Sequence, residues 1–140
     1  RSAYDLESET FRVSYLAHEG MHFSDYKRYP KLQQPELEYR AKLVELATSE
    51  KTTHDLITQF ARRGGRDRSV PHHFANNWVA QDMSRAVFDS ESHVDDSARW
   101  RAVKPDKLRR EARRVLEEND ARLKKIGAST VERFLPEGGS

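Results

Sequence analysis

His18-Glu19-Gly20-Met21-His22 is the stretch from which the rest of this chain is read. Two histidines four residues apart fall on one face of an α-helix, one turn above the other. At that spacing both imidazoles reach a single metal ion. Glu19 is rotated toward the adjacent side, where it can contact a water on that ion. The arrangement requires a helix, and the flanking residues predict one. Phe11, Tyr15, Ala17, His18, Met21 and His22 recur at spacings of three and four, which places a helix over residues 4–26. Val13, Tyr15, Leu16 and Phe23 predict that it is buried, and histidines and a glutamate buried without a task would be costly. Gly20 costs roughly 1 kcal/mol relative to Ala at mid-helix. It either clears a side chain from the metal face or lets another helix approach closely. Tyr29-Pro30 ends the helix or starts a loop.

Four more helices follow from the same periodicity. The second starts at Pro35, a favoured first-turn residue, with Glu36 and Glu38 suited to its dipole. It runs over 35–47 with Leu37, Ala41, Leu43, Val44 and Leu46 as its apolar stripe. A third spans 53–63, capped by Thr52 or Thr53, turns Leu56, Ile57 and Phe60 inward, and stops at Gly64-Gly65. Residues 62–68 form a basic, glycine-rich loop, expected to be solvated and mobile. After Val70-Pro71 a helix over 72–88 buries Phe74, Ala75, Trp78, Val79 and Met83, and the polar residues 89–96 form a loop. The last helix spans 105–126, buries Leu108, Ala112, Val115, Leu116, Leu123 and Ile126, and stops at Gly127. Residues 130–135 add a short turn, and 136–140 are a tail. No segment has the alternation of a strand. The expectation is a mainly α, single helical domain of four to five helices covering 1–140. Starting at Arg1, it reads as a fragment or processed form of a longer chain.

Composition narrows the function. Charged residues make up 34% of the chain, yet the net charge is only +2. The mixed signs argue against a nucleic-acid partner, even for residues 62–68 and the Lys/Arg-rich 104–125. No apolar run approaches the ~20 residues of a membrane span. Cysteine is absent, so thiol nucleophiles, disulfides and cysteine-bound zinc are excluded together. That absence is compatible with the cytoplasm or with a bacterial periplasm and envelope. Any metal must be held by histidine and carboxylates.

Catalytic zinc usually takes three protein ligands. A third histidine at the His-x-x-Gly-x-x-His spacing is missing, since that pattern fails at Asp25 and Arg28. A glutamate of the second helix is the natural donor. Glu38 and Glu45 are two turns apart on roughly the same face, so periodicity leaves both open, whereas Glu36 points elsewhere.

His18-Glu-Gly-Met-His22 followed by Glu38-Tyr39-Arg40-Ala41 resembles the gluzincin arrangement of zinc metallopeptidases, over about residues 11–48. In several members a Glu heading a Glu-x-x-Ala segment is the third ligand. The resemblance, closest to an uncharacterised bacterial gluzincin-like family, implies zincin-like active-site helices and one Zn²⁺ per chain. It makes His18, His22 and Glu38 the ligands and Glu19 the general base. Such relatives usually carry Asp where this chain has Lys42, and the loop 27–34 must be tight. The implied activity is hydrolysis of a peptide or protein substrate: zinc lowers the pKa of its water toward ~7, and Glu19 takes the proton and passes it to the leaving amine. His72 and His73, at the start of their helix, are candidate oxyanion donors, with Tyr39 and Arg40 behind them. Asn76 and Asn77 are placed to orient substrate backbone. Asp82, Asp25 and Glu45 are candidate partners for the ligand imidazoles. His54 and His93 are expected at the surface. The alternative is a non-catalytic, zinc-stabilised helical module that binds a protein partner.

Overall fold

The computed structural model describes residue 8 and residues 12–137. A π-helical turn, Arg12–Ala17, leads directly into α1 (His18–Arg28). There follow α2 (Gln34–Thr48), α3 (Thr53–Arg62), α4 (Pro71–Phe88), a 3₁₀ turn at Glu91–His93, α5 (Ser97–Ala102) and α6 (Pro105–Ile126). The described residues contain no strand. None of their helices is long and apolar enough to cross a membrane.

The organising element is α2. It packs against α1, α4 and α6 together, and is buried on every side rather than along a stripe. Leu37, Ala41, Leu43 and Leu46 are sealed among Ile57 of α3, Phe74, Val79 and Met83 of α4, and Leu108 and Leu123 of α6. Each buried Leu, Ile, Val, Met or Phe side chain contributes about 1.5–3 kcal/mol.

A central helix carrying Glu36, Glu38, Arg40, Lys42 and Glu45 must also satisfy those charges, because an unpaired buried charge is prohibitively costly. Glu36 does so away from the other acids. Both its oxygens accept from Arg68 (2.9 Å for one pair), and it also meets the backbone N–H groups of Phe134 and Leu135. Arg40, fully buried, donates to both oxygens of Asp25 at 2.8 and 3.1 Å, and to Asn119 and Asp120 of α6 at 2.7 Å each. That network clamps α1 to α2 and α2 to α6.

Among the described residues six α-helices stand where four to five were expected. The addition is α5, six residues long and therefore invisible to periodicity. Its local signals are Asp96, whose carboxylate caps the helix by accepting from the Arg99 N–H, and Trp100, fully buried with its indole N–H donating to Val94 O. Of the helix expected over 4–26 the structure describes residue 8 and residues 12 onward, so Tyr4 and Phe11 lie outside the described residues, as does the side chain of Val13. Tyr15, Leu16 and Phe23 are each more than half exposed, because α1 buries only the face bearing His18, Met21, His22 and Asp25. The burial expected for them is corrected, and so is that of Ile126, half exposed at the end of α6. Arg68 is tied to Glu36 and Gln33 rather than solvated with its loop.

Candidate metal centre

The i, i+4 spacing on α1 sets the His18 and His22 rings edge to face, centroids 4.6 Å apart, with their Nε2 atoms 3.0 Å from each other. α2 crosses this face and delivers Glu38. Its Oε1 lies 2.7 Å from His18 Nε2 and 3.1 Å from His22 Nε2, and its Oε2 is at 3.3 and 3.2 Å. All three side chains are buried. Three lone-pair donors from two helices therefore meet in one small triangle.

The donor set fits a divalent cation. Zinc bonds of about 2.0–2.2 Å in tetrahedral geometry place ligand atoms roughly 3.3 Å apart, close to the 2.7–3.1 Å sides found here. Protons satisfy the triangle less well. If both imidazoles donate from Nε2 to Glu38, two N–H groups are forced together at 3.0 Å. A shared cation lets all three atoms act as acceptors at once. Without a cation, burial disfavours charged His18, yet Glu38 and Glu45 outweigh it and hold His18 raised to about 9. Burial likewise opposes ionised Glu38, but the two histidines keep it well below the usual carboxylate range.

Glu45 takes the other side of the first imidazole. Its Oε1 lies 3.4 Å from His18 Nδ1, so Glu38 meets the outward nitrogen and Glu45 the rear one. Of the candidate partners for the imidazoles, only Glu45 reaches one. Asp25 is spent on Arg40, and Asp82 accepts from the Tyr39 hydroxyl at 2.5 Å. Those bonds also remove Tyr39 and Arg40 as donors to a substrate. His22 Nδ1 is buried with no partner among the described residues.

Glu19 is exposed beside the cluster, and His18, Glu19 and His22 can each place a ligand atom within 4.8 Å of the others. A Cβ built on Gly20 meets nothing within 4 Å; among the described residues no helix approaches there, and the outer side of the motif is open. His72, in the first turn of α4, joins the site: its Nε2 is 3.6 Å from Glu38 Oε2 and its ring stacks on His18 at 6.2 Å. His73 does not. It packs under Gly65, whose N–H donates to His73 O at 2.8 Å, and a Cβ on Gly65 would come within 3.1 Å of the His73 Cβ. The two adjacent histidines thus part ways, His72 to the cluster and His73 to the cavity beside it. Asn76 lines that cavity and donates to Arg63 O, whereas Asn77 accepts from Gln81. His54 and His93 are half-buried with partners, Val103 O at 2.7 Å and the edge of Phe88, and are not simply surface residues.

Lys42 enters the sequence reading only as a departure from the gluzincin pattern, with no role at the site. Its stem is buried, its ammonium lies 5.1 Å from the Phe60 ring centroid, and burial lowers its pKa against the pull of Glu45 and Glu38. Position one turn beyond Glu38 was the available signal. No protein-family model, curated protein or solved structure matches this chain.

Proposed function

We propose that the chain is a zinc-dependent hydrolase, a metallopeptidase of gluzincin type, with one Zn²⁺ held by His18, His22 and Glu38. The observation that carries this reading is the convergence of His18 Nε2, His22 Nε2 and Glu38 Oε1 within 2.7–3.1 Å of one another. Bound zinc supplies Lewis acidity toward a carbonyl and acidifies water. Glu38 and the two imidazoles keep their lone pairs on one point, and Glu45 holds the His18 ring from behind. The Glu19 carboxylate accepts a proton from the attacking water as its hydroxyl bonds to the carbonyl carbon. It returns that proton to the amine nitrogen as the C–N bond breaks. His72, mostly exposed beside Glu38, is positioned to donate an N–H to a substrate oxygen.

A second reading has its own observation. The ligands come from α1 and α2, the pair already clamped by Asp25 and Arg40, so an ion there would staple the two helices whether or not turnover occurs. This describes a zinc-stabilised helical module that binds a protein partner. Metal content by mass spectrometry and hydrolysis of a fluorogenic peptide library separate the readings. One zinc per chain, with Glu19→Gln retaining the zinc and losing hydrolysis, supports the peptidase. Zinc without hydrolysis in the unsubstituted chain supports the module, and a chain that takes up no metal refutes both.

A further inference from the structure

Beside the metal cluster lies a cavity of about 300 Å³ lined by Lys42, Glu45, Phe60, Arg63, His73 and Asn76, with His72 on the side shared with the cluster. That is the small end of ligand-pocket sizes, room for one residue of a chain. Its charge is unusual. The Lys42 ammonium has no hydrogen bond and no carboxylate within 4.0 Å among the described residues, although its stem is buried. A buried lysine normally pairs with a carboxylate, and this one ends in a cavity. Arg63 adds a second cation, exposed on the rim.

The balance with the cluster sharpens the point. Glu38 and Glu45, the carboxylates whose charges act on Lys42, are both engaged at the nitrogens of His18, and neither pairs with the ammonium within 4.0 Å. Phe60 walls the cavity with apolar surface, which strengthens a charge interaction relative to open water. We propose that this cavity is the specificity subsite for a carboxylate on the substrate, with the Lys42 ammonium as its counter-charge. The inference rests on the peptidase reading for its substrate class: the carboxylate belongs to an acidic side chain next to the cleaved bond or to a chain terminus. Lys42 is here a binding residue, and the chemistry stays with Glu19.

The test is ligand-observed NMR titration of the zinc-loaded chain with three probes: acetyl-Ala-Glu-amide, its neutral counterpart acetyl-Ala-Gln-amide, and acetyl-Ala-Ala with a free terminal carboxylate. One or both acidic probes should bind at least ten-fold more tightly than the neutral one, and which of them does so identifies the source of the carboxylate. Lys42→Met should bring that preference to near unity with zinc content unchanged, and Lys42→Arg should keep part of it. Arg63→Gln, on an exposed residue that threatens folding less, should reduce it several-fold. Equal binding of acidic and neutral probes, or a preference that survives Lys42→Met, overturns the proposal. A chain that takes up no zinc defeats the peptidase reading instead, and the same titrations on the metal-free chain still decide the cavity.

Discussion

Glu45→Gln separates a residue that orients a ligand from one that is a ligand. Glu45 stands 3.4 Å from His18 Nδ1, whereas Glu38 stands 2.7 and 3.1 Å from the two Nε2 atoms. Removing the partner of a ligand imidazole typically weakens metal binding about 10–100-fold, that is, about 1.4–2.7 kcal/mol. The 3.4 Å contact is long for a hydrogen bond, and glutamine can still accept through its amide oxygen, so the expected loss lies near the ten-fold end. Glu38→Gln replaces a charged donor of the triangle itself, and stoichiometric binding should disappear. The assay is zinc competition against a chromogenic chelator, with zinc-to-protein ratios by mass spectrometry. The pH is held constant because protons compete for His18, which is raised to about 9 in the metal-free chain. Glu45→Gln should keep one zinc per chain at reduced affinity. Loss of stoichiometric zinc in Glu45→Gln with retention in Glu38→Gln would refute the assignment of the two glutamates, and an unchanged affinity in Glu45→Gln would refute its orienting role.

Asp25→Ala leaves the fully buried Arg40 with Asn119 and the partly exposed Asp120 as its hydrogen-bond partners among the described residues. Breaking a buried pair from one side costs about 3–5 kcal/mol, and the surviving Asp120 contact puts the expected loss, measured by urea denaturation, at the lower end. Gly20→Ala should stabilise the chain by roughly 1 kcal/mol, since the helix gains propensity and the new Cβ meets nothing within 4 Å; a loss of stability would mean the outer face of α1 is not open. Asp82 is pushed up by burial, against the Tyr39 hydrogen bond and Arg85. With its folded pKa above the unfolded one, its contribution is most favourable at pH values below the unfolded pKa and is lost as pH rises through the folded one. Relative to Asp82→Asn, the unsubstituted chain should therefore lose stability as pH rises from below the ordinary aspartate pKa of about 4 through the raised folded one, and a gap that does not change with pH would contradict this.

What the sequence determined by itself is local. The helix over 105–126 appears with the same bounds as α6, and helices over 53–63 and 72–88 match within a residue, because a 3.6-residue period and a capping Pro or Gly act within a few residues of the chain. The convergence of His18 and His22 is local for the same reason: one turn of helix separates them. Glu38 and Glu45 share the geometry of a single helix face, so only the crossing of α2 over α1 decides that one meets Nε2 and the other Nδ1. Burial is equally a property of the assembly. Tyr15, Leu16 and Phe23 have the composition of a core yet lie outside it, while Glu36, Arg40 and Lys42 have the composition of a surface yet lie within. A residue's hydropathy states its preference for water. Which side of a helix is covered depends on partners 15 to 99 positions distant, such as Asp25 for Arg40 and Leu135 for Glu36, and that information exists only once the chain has packed.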